Sequence, residues 1–242
     1  MTNTIFKKFF LLLFILSPLT ASAQMFSVGD ERNRTSDAFS PYARAGIYLV
    51  DFKFTGDPAE LTDGNSLSFN GSAAHIGYES GGLNFGLAFG SDFTQLDNRR
   101  FFSLNLDFTN PFYIVRKQNF GVGIPIKLRT KVTSVRSDEV QEEFSQTDLS
   151  AGGGLIMRIN APEKFNVTTQ FIPSIGFSTS SGGFLGGRIV SLSGKARMNF
   201  YNLLFGKNIS LGYDYIFDSY DIDGEQYDYD VNGHLITLGV SL

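Results

Sequence analysis

Lys127, Arg129 and Lys131 occupy alternate positions of one stretch, and Lys195 and Arg197 repeat the arrangement further along the chain. At a spacing of two, side chains of an extended segment project from the same face, so each set presents its cations in a row. Arg158 and the carboxylates Asp107, Asp148 and Asp214 fall on the matching faces of their own segments. Together these nine residues form a candidate charge network. Rows of this kind suit a narrow anion-selecting path or an anionic ligand site, or a salt-bridged filling.

Other chemistry is sparse. The two histidines are His75 and His234, and there is no cysteine, which excludes disulfides and thiolate metal sites. The segment Ser219–Asp230 has a superficial calcium-loop spacing through Asp221, Asp223, Gly224 and Asp230, with Asp228 nearby. Its first ligand position is Ser, its last is Asp, and no helices flank it. A solvated or loosely cation-bridged loop is the default expectation. No cofactor is expected, with calcium or another divalent cation at this loop as the weak alternative.

The elements that must carry these residues are strands. From Phe120 to Val135, Val122, Ile124, Ile126, Leu128 and Val132 alternate with Gly121, Gly123, Lys127, Arg129 and Lys131, the period-two signature of extended chain. Similar alternation predicts strands at Tyr42–Phe54, about Ser66–Tyr78, Leu83–Gly90, Phe102–Phe108, Asp148–Ile159, Asn166–Phe177, Val190–Phe200, Ile209–Phe217 and His234–Leu242. In the second of these, Leu67 and Phe69 share one face while Ile76 and Tyr78 share the other, for which a bulge near Ala73-Ala74 is the expected remedy. The fourth strand either ends at Phe108 or bends at Pro111. Thr55–Gly64, Ser134–Gln146 and Asp218–Gly233 are expected to be long acidic loops, and Tyr201–Asn208 a short connection.

The amino terminus has the form of an export signal. Lys7 and Lys8 precede the apolar run Phe9–Leu16, and Ala21-Ser22-Ala23 offers a small-residue cleavage site. Residues 1–23 are therefore expected to leave as a signal peptide, 24–40 to form a polar periplasmic tail, and 41–242 to form the folded body. The formal charge of −4 has no basic excess for nucleic acid. A soluble barrel or sandwich also alternates, but the strands run to about 10–15 residues rather than the about five to six of soluble proteins. Acid-rich and shorter connections alternate, and Tyr and Phe crowd the strand ends, as at Tyr78, Phe108, Phe54, Phe177, Phe217 and Tyr201. There is no Trp to share such belts.

On these features the segment Tyr42–Leu242 resembles the small, roughly ten-stranded bacterial outer-membrane β-barrels. The resemblance implies an all-β fold, a closed antiparallel up-and-down transmembrane barrel, located in the bacterial outer membrane. Its partners would be outer-membrane lipids and lipopolysaccharide, with the β-barrel assembly machinery during insertion. Such barrels usually end on an aromatic residue, whereas this chain ends Val240-Ser241-Leu242. The leading expectation is a non-enzymatic structural or surface-interaction protein with acidic outer loops and a charge-plugged lumen. The alternatives are a narrow anion-preferring pore and an outer-membrane hydrolase. Omptin proteases use Asp and His at the rim, which His234 beside Asp228 and Asp230 resembles only loosely. Lipid A deacylases carry a His-x-Ser pattern, whereas His75 is followed by Ile76 and Gly77.

Overall fold

The computed structural model describes residues 41–57, 67–91, 99–137, 143–161, 164–180, 186–222 and 228–242. The expected signal peptide and periplasmic tail lie outside them, as do residues 58–66, 138–142 and 223–227 at three of the expected outer loops. The described segments are strands β1 (Tyr42–Phe54), β2 (Phe69–Glu79), β3 (Leu83–Ser91), β4 (Arg99–Arg116), β5 (Phe120–Ser137), β6 (Glu143–Gly153), β7 (Leu155–Ala161), β8 (Phe165–Ser180), β9 (Gly186–Leu204), β10 (Lys207–Asp221) and β11 (Tyr229–Ser241). β6 and β7 are two lengths of one wall strand, parted at Gly154, since both pair with β5 on one side and β8 on the other. All neighbours are antiparallel, and β1 pairs with β11 to close a ten-stranded barrel.

The registers fix its geometry. Starting at Tyr42 and stepping across each pair in turn, through Glu79, Asn84, Asp107, Arg129, Ser150, Gly176, Ile189, Tyr220 and Tyr229, the path returns to β1 at Phe54, 12 residues above its start. A shear of this size over ten strands corresponds to a strand tilt of about 40°. β4 runs through Pro111 to Arg116, where Pro111 faces Pro125 of β5. Two prolines opposite each other give up no ladder donor that the partner strand requires, and the one irregularity of this pair falls between Tyr113 and Val115.

The outer surface has two zones. In the lower zone the outward positions are predominantly apolar or small, as with Ile47 and Leu49 of β1, Ile126 and Leu128 of β5, and Ile236 and Leu238 of β11, all roughly half exposed, with Asn110 and His234 as polar exceptions. Each strand then turns polar outside near one level: Leu49 is followed outward by Asp51, Phe89 by Ser91, Phe102 by Arg100, Val132 by Ser134, Leu149 by Thr147, Val190 by Arg188 and Phe217 by Ser219. A band of this kind closed round a barrel is the surface that lipid covers.

The interior inverts in step. Above the level at which the outside becomes polar, the inward side chains are apolar: Val50, Phe52, Phe69, Phe101, Val135, Phe144, Ile189, Tyr229 and Val231 pack into one buried cluster. Below it they are mainly charged or polar, with Ile156 and Ile172 as buried apolar exceptions. This removes the expected bulge in β2, whose register with β1 is unbroken from Phe69 to Glu79. Leu67 and Phe69 point into the upper cluster while Ile76 and Tyr78 point out into the lower belt. Three other expectations are corrected by the same pattern. Strand β9 continues through Tyr201 to Leu204, and a two-residue turn at Phe205-Gly206 replaces the Tyr201–Asn208 connection. β5 extends to Ser137 and β6 begins at Glu143, shortening the Ser134–Gln146 loop, and Asp218–Asp221 and Tyr229–Gly233 are strand and not loop. Phe54 and Tyr201 face inward rather than into aromatic belts: Phe54 packs edge-on against Tyr229, and the Tyr201 hydroxyl accepts a hydrogen bond from Asn166.

The two-zone surface sets a position-dependent cost for an outward charge. Leu128→Arg, within the belt, destabilises the folded barrel by about 2–4 kcal/mol, whereas Ser134→Arg, three outward positions higher on the same strand, changes stability by less than about 0.5 kcal/mol. Urea unfolding in lipid vesicles measures both, and equal costs at the two positions contradict the placement of the belt.

Candidate functional site

The candidate site is the polar half of the lumen. Strand parity alone aims Lys127, Arg129 and Lys131 of β5, Asp148 of β6, Lys195 and Arg197 of β9 and Asp214 of β10 inward, and β4 contributes Asp107. Arg158 lies on the inward row of β7 between Ile156 and Asn160, lower in the barrel, and makes no ion pair among the described residues. The other eight come together, in three groups stacked along the barrel axis.

The upper group centres on Asp218. Its Oδ1 accepts from Arg129 Nη1 at 2.8 Å and its Oδ2 from Lys131 Nζ at 2.7 Å. Arg129 also donates to Asp148 Oδ1 at 3.2 Å and to Ser191 Oγ at 3.0 Å. Tyr220 OH closes the group by donating to Asp148 Oδ2 at 3.0 Å. Because β5 and β10 lie four wall strands apart, the Arg129–Asp218 and Lys131–Asp218 pairs cross the lumen.

The lower group centres on Glu79. Arg44 Nε and Arg197 Nε approach the same Oε2, at 2.7 and 2.9 Å, and Lys195 Nζ stands 3.8 Å from Oε1. Arg197 also forms a two-pronged pair with Asp214, and Arg44 donates to Ser210 Oγ at 3.0 Å. Between the two groups, Asp107 accepts from Asn84 and Asn105 at 3.2 and 3.0 Å and lies 3.6 Å from Lys127 Nζ. A cavity of about 70 Å³ opens at this middle level, bordered by Lys127, Lys195, Asn105 and His75. Below it the inward face carries amides, with Asn199 donating to Asn166 at 2.8 Å and Asn166 to Tyr201 at 2.6 Å.

Above the charges the apolar cluster seals the barrel. Phe52 of β1 and Phe144 of β6 come from opposite walls, yet their rings lie 4.8 Å apart, and both touch Tyr229 at 4.9 Å. Tyr48 joins from the layer below, its ring lying over Gly233, where a Cβ would collide with it. The lumen is therefore filled by charges in its lower half, and by aromatic and aliphatic packing in its upper half.

Asp218, Glu79 and Arg44 organise the network but escape the sequence reading. Asp218 falls at the start of the expected acidic loop, Glu79 abuts the Ser80-Gly81-Gly82 turn, and Arg44 sits between alanines that blur the alternation. The signal that could have found them is parity, since each keeps the inward phase of its strand.

The two histidines sit on opposite sides of the wall. His75 lines the cavity, whereas His234 faces outward, its Nδ1 within 2.8 Å of the Tyr213 hydroxyl and its ring against Tyr215. Asp230 lies on the same outer row, about 13 Å up the strand by its spacing of four residues. At the last outer loop, Asp221 and Asp230 project from the outer faces of β10 and β11, opposite Arg188 and Lys53, while Asp228 Oδ1 accepts from the Ile222 amide at 2.9 Å. Asp223 lies outside the described residues. Among the described residues no group of three or more His, Asp or Glu is arranged to hold a metal.

A closed antiparallel barrel with a lipid-facing belt and a polar lower lumen defines the class: this is a ten-stranded transmembrane β-barrel. No family model matches the chain, and no curated protein matches it in sequence. Among solved structures it is similar to the outer membrane protease OmpT from Escherichia coli, at 10% identity over 85% of this chain and 96% of that one, with a TM-score of 0.45. It is also similar to Neisserial surface protein A, at 9% identity over 84% and 97% of the two chains, TM-score 0.31. Ail, the attachment invasion locus protein of Yersinia pestis, is similar at 12% identity over 84% and 99%, TM-score 0.23.

Removing the carboxylate that holds two buried cations is far more damaging than removing an exposed one. Asp218→Asn costs about 3–5 kcal/mol, while Glu143→Gln, which breaks the exposed pair with Arg136 on the outer rim, costs about 1 kcal/mol or less. Equilibrium unfolding of the two variants side by side checks the ranking.

Proposed function

We propose that the chain is a non-enzymatic barrel of the bacterial outer membrane, exported by its amino-terminal signal, which acts at the cell surface through its acidic loops. The observation that carries this reading is the shut lumen. A conducting path must pass both the Arg129–Asp218 and Lys131–Asp218 bridges and the packed Phe52, Phe144 and Tyr229 rings above them, and a barrel of this size has no spare cross-section to route around them. The barrel then serves as a mount. Its polar collar stands clear of the lipid belt and ends at residues such as Asp57, Ser137 and Asp221, beside which the sequence places its acid-rich segments. Their charge suits basic surfaces, or divalent cations that bridge to the phosphates of lipopolysaccharide. The hydrolase alternative finds no support in the histidines, since His234 faces the belt edge beside Tyr213.

The chain has no cysteine, so single substitutions report topology without background. On intact cells a membrane-impermeant maleimide labels Glu60→Cys and Glu225→Cys, and labels Gln118→Cys only after the outer membrane is permeabilised. In planar bilayers the folded protein shows no unitary conductance steps. Labelling in the reverse order overturns the orientation, and discrete conductance steps overturn the shut lumen.

A further inference from the structure

We propose that the middle of the lumen is a binding site for a small inorganic anion, held between Lys127 and Lys195. The site goes beyond the surface role and does not depend on what the loops bind. It rests first on a charge imbalance. From Glu79 up to Asp218 the lumen holds six cations, Arg44, Lys127, Arg129, Lys131, Lys195 and Arg197, against five carboxylates, Glu79, Asp107, Asp148, Asp214 and Asp218.

The imbalance is not spread evenly. Arg129, Lys131, Arg44 and Arg197 each reach a carboxylate at 2.9 Å or closer. Lys127 and Lys195 do not: their carboxylate oxygens stand 3.6 and 3.8 Å away, beyond a good charge-assisted hydrogen bond. Lys127 is buried, and among the described residues its only hydrogen bond is a long one of 3.4 Å to Ser193 Oγ. Both ammonium groups border the cavity of about 70 Å³, several times what one water requires. The cavity therefore admits a halide or a small oxyanion with its residual water.

The surroundings explain why the counter-charge must sit there. Hydrocarbon covers the wall at this level and the apolar cluster caps the lumen, so bulk salt cannot screen an unmatched ammonium from those sides. The lower mouth is the open direction. Among the described residues its inward face carries Arg158, Asn160, Asn166 and Asn199, and the carboxylates above them, Glu79 and Asp214, are already paired with Arg44 and Arg197, so an anion entering from below meets amide donors, a cation and neutralised acids before it reaches the two lysines.

Bromide is the probe. Crystals of the full folded chain grown in sodium bromide are expected to show an anomalous peak inside the lumen, within about 3.5 Å of Lys127 Nζ and Lys195 Nζ. In solution, at fixed ionic strength, chloride raises the unfolding midpoint of the wild type above that in gluconate, which is too large for the cavity. In Lys195→Met, a half-buried side chain whose loss breaks no close pair, the chloride effect disappears and bromide occupancy falls at least tenfold. If that variant fails to fold, Lys127→Met and the wild-type bromide map decide the matter. A lumen without a bromide peak, peaks on the outer surface only, or an undiminished chloride effect in the lysine variants overturns the proposal.

Discussion

The barrel depends on one constraint: every strand passes through the plane where hydrocarbon gives way to water, and its two faces must exchange character there. Below that plane the outer face meets acyl chains, so the hydrophobic effect favours apolar residues outside and leaves polar ones only the lumen. Above it water surrounds the barrel and the same residue parity must bury its apolar set inside, as a soluble β-barrel does. Alternation never breaks; its assignment reverses. In β1 the inward series runs Tyr42, Arg44, Tyr48, Val50, Phe52 while the outward series runs Ala45, Ile47, Leu49, Asp51, Lys53, so both switches fall within one turn of the pleat.

This reversal decides which parts of the structure are legible from sequence. Strands whose described length lies mostly in the belt, such as β3 and the middle of β5, have one apolar and one polar face and are read with their bounds nearly intact. Strands that continue above the belt look broken, because their apolar residues appear to jump faces. In β2 the jump imitates a bulge; in β10, Asp218 and Tyr220 follow Phe217 and imitate the start of a loop. A single-phase reading ends several strands near the plane, which truncates β5 by two residues and β10 by four, whereas β1 is read through to Phe54. The charge network was legible as a set of inward residues. Its partners were not, since a register that places Asp218 opposite Arg129 across the lumen is a property of closure and shear, which no local window contains.

The energetics of the lumen follow from its position. A buried ion pair repays its desolvation only when nearly all of its hydrogen-bonding capacity is used. Asp218 meets that condition with two cations on its two oxygens, and Asp148 with Arg129 on one oxygen and Tyr220 on the other. These crossings also tie β5 to β10 and, through Glu79, β2 to β9, joining walls that share no ladder. The network therefore braces the barrel against flattening, a distortion that the hydrogen-bonded sheet alone resists weakly because it requires only changes in strand-to-strand angle.

The two halves of the interior need each other. Without the aromatic cap, water from the upper end would reach Asp148 and Asp218 and weaken pairs that are strong because their surroundings are dry. Without the charges, the belt-level lumen would have to be filled with apolar side chains, and strands apolar on both faces would lose the distinction between inside and outside that sets their orientation. Charged residues in the lower lumen and apolar ones in the upper lumen are thus one device read at two heights. It fixes how deep the barrel sits as well as which way each strand faces, because sliding the barrel by one pair of residues would push Asp51 and Ser134 into lipid or lift Leu49 and Val132 into water.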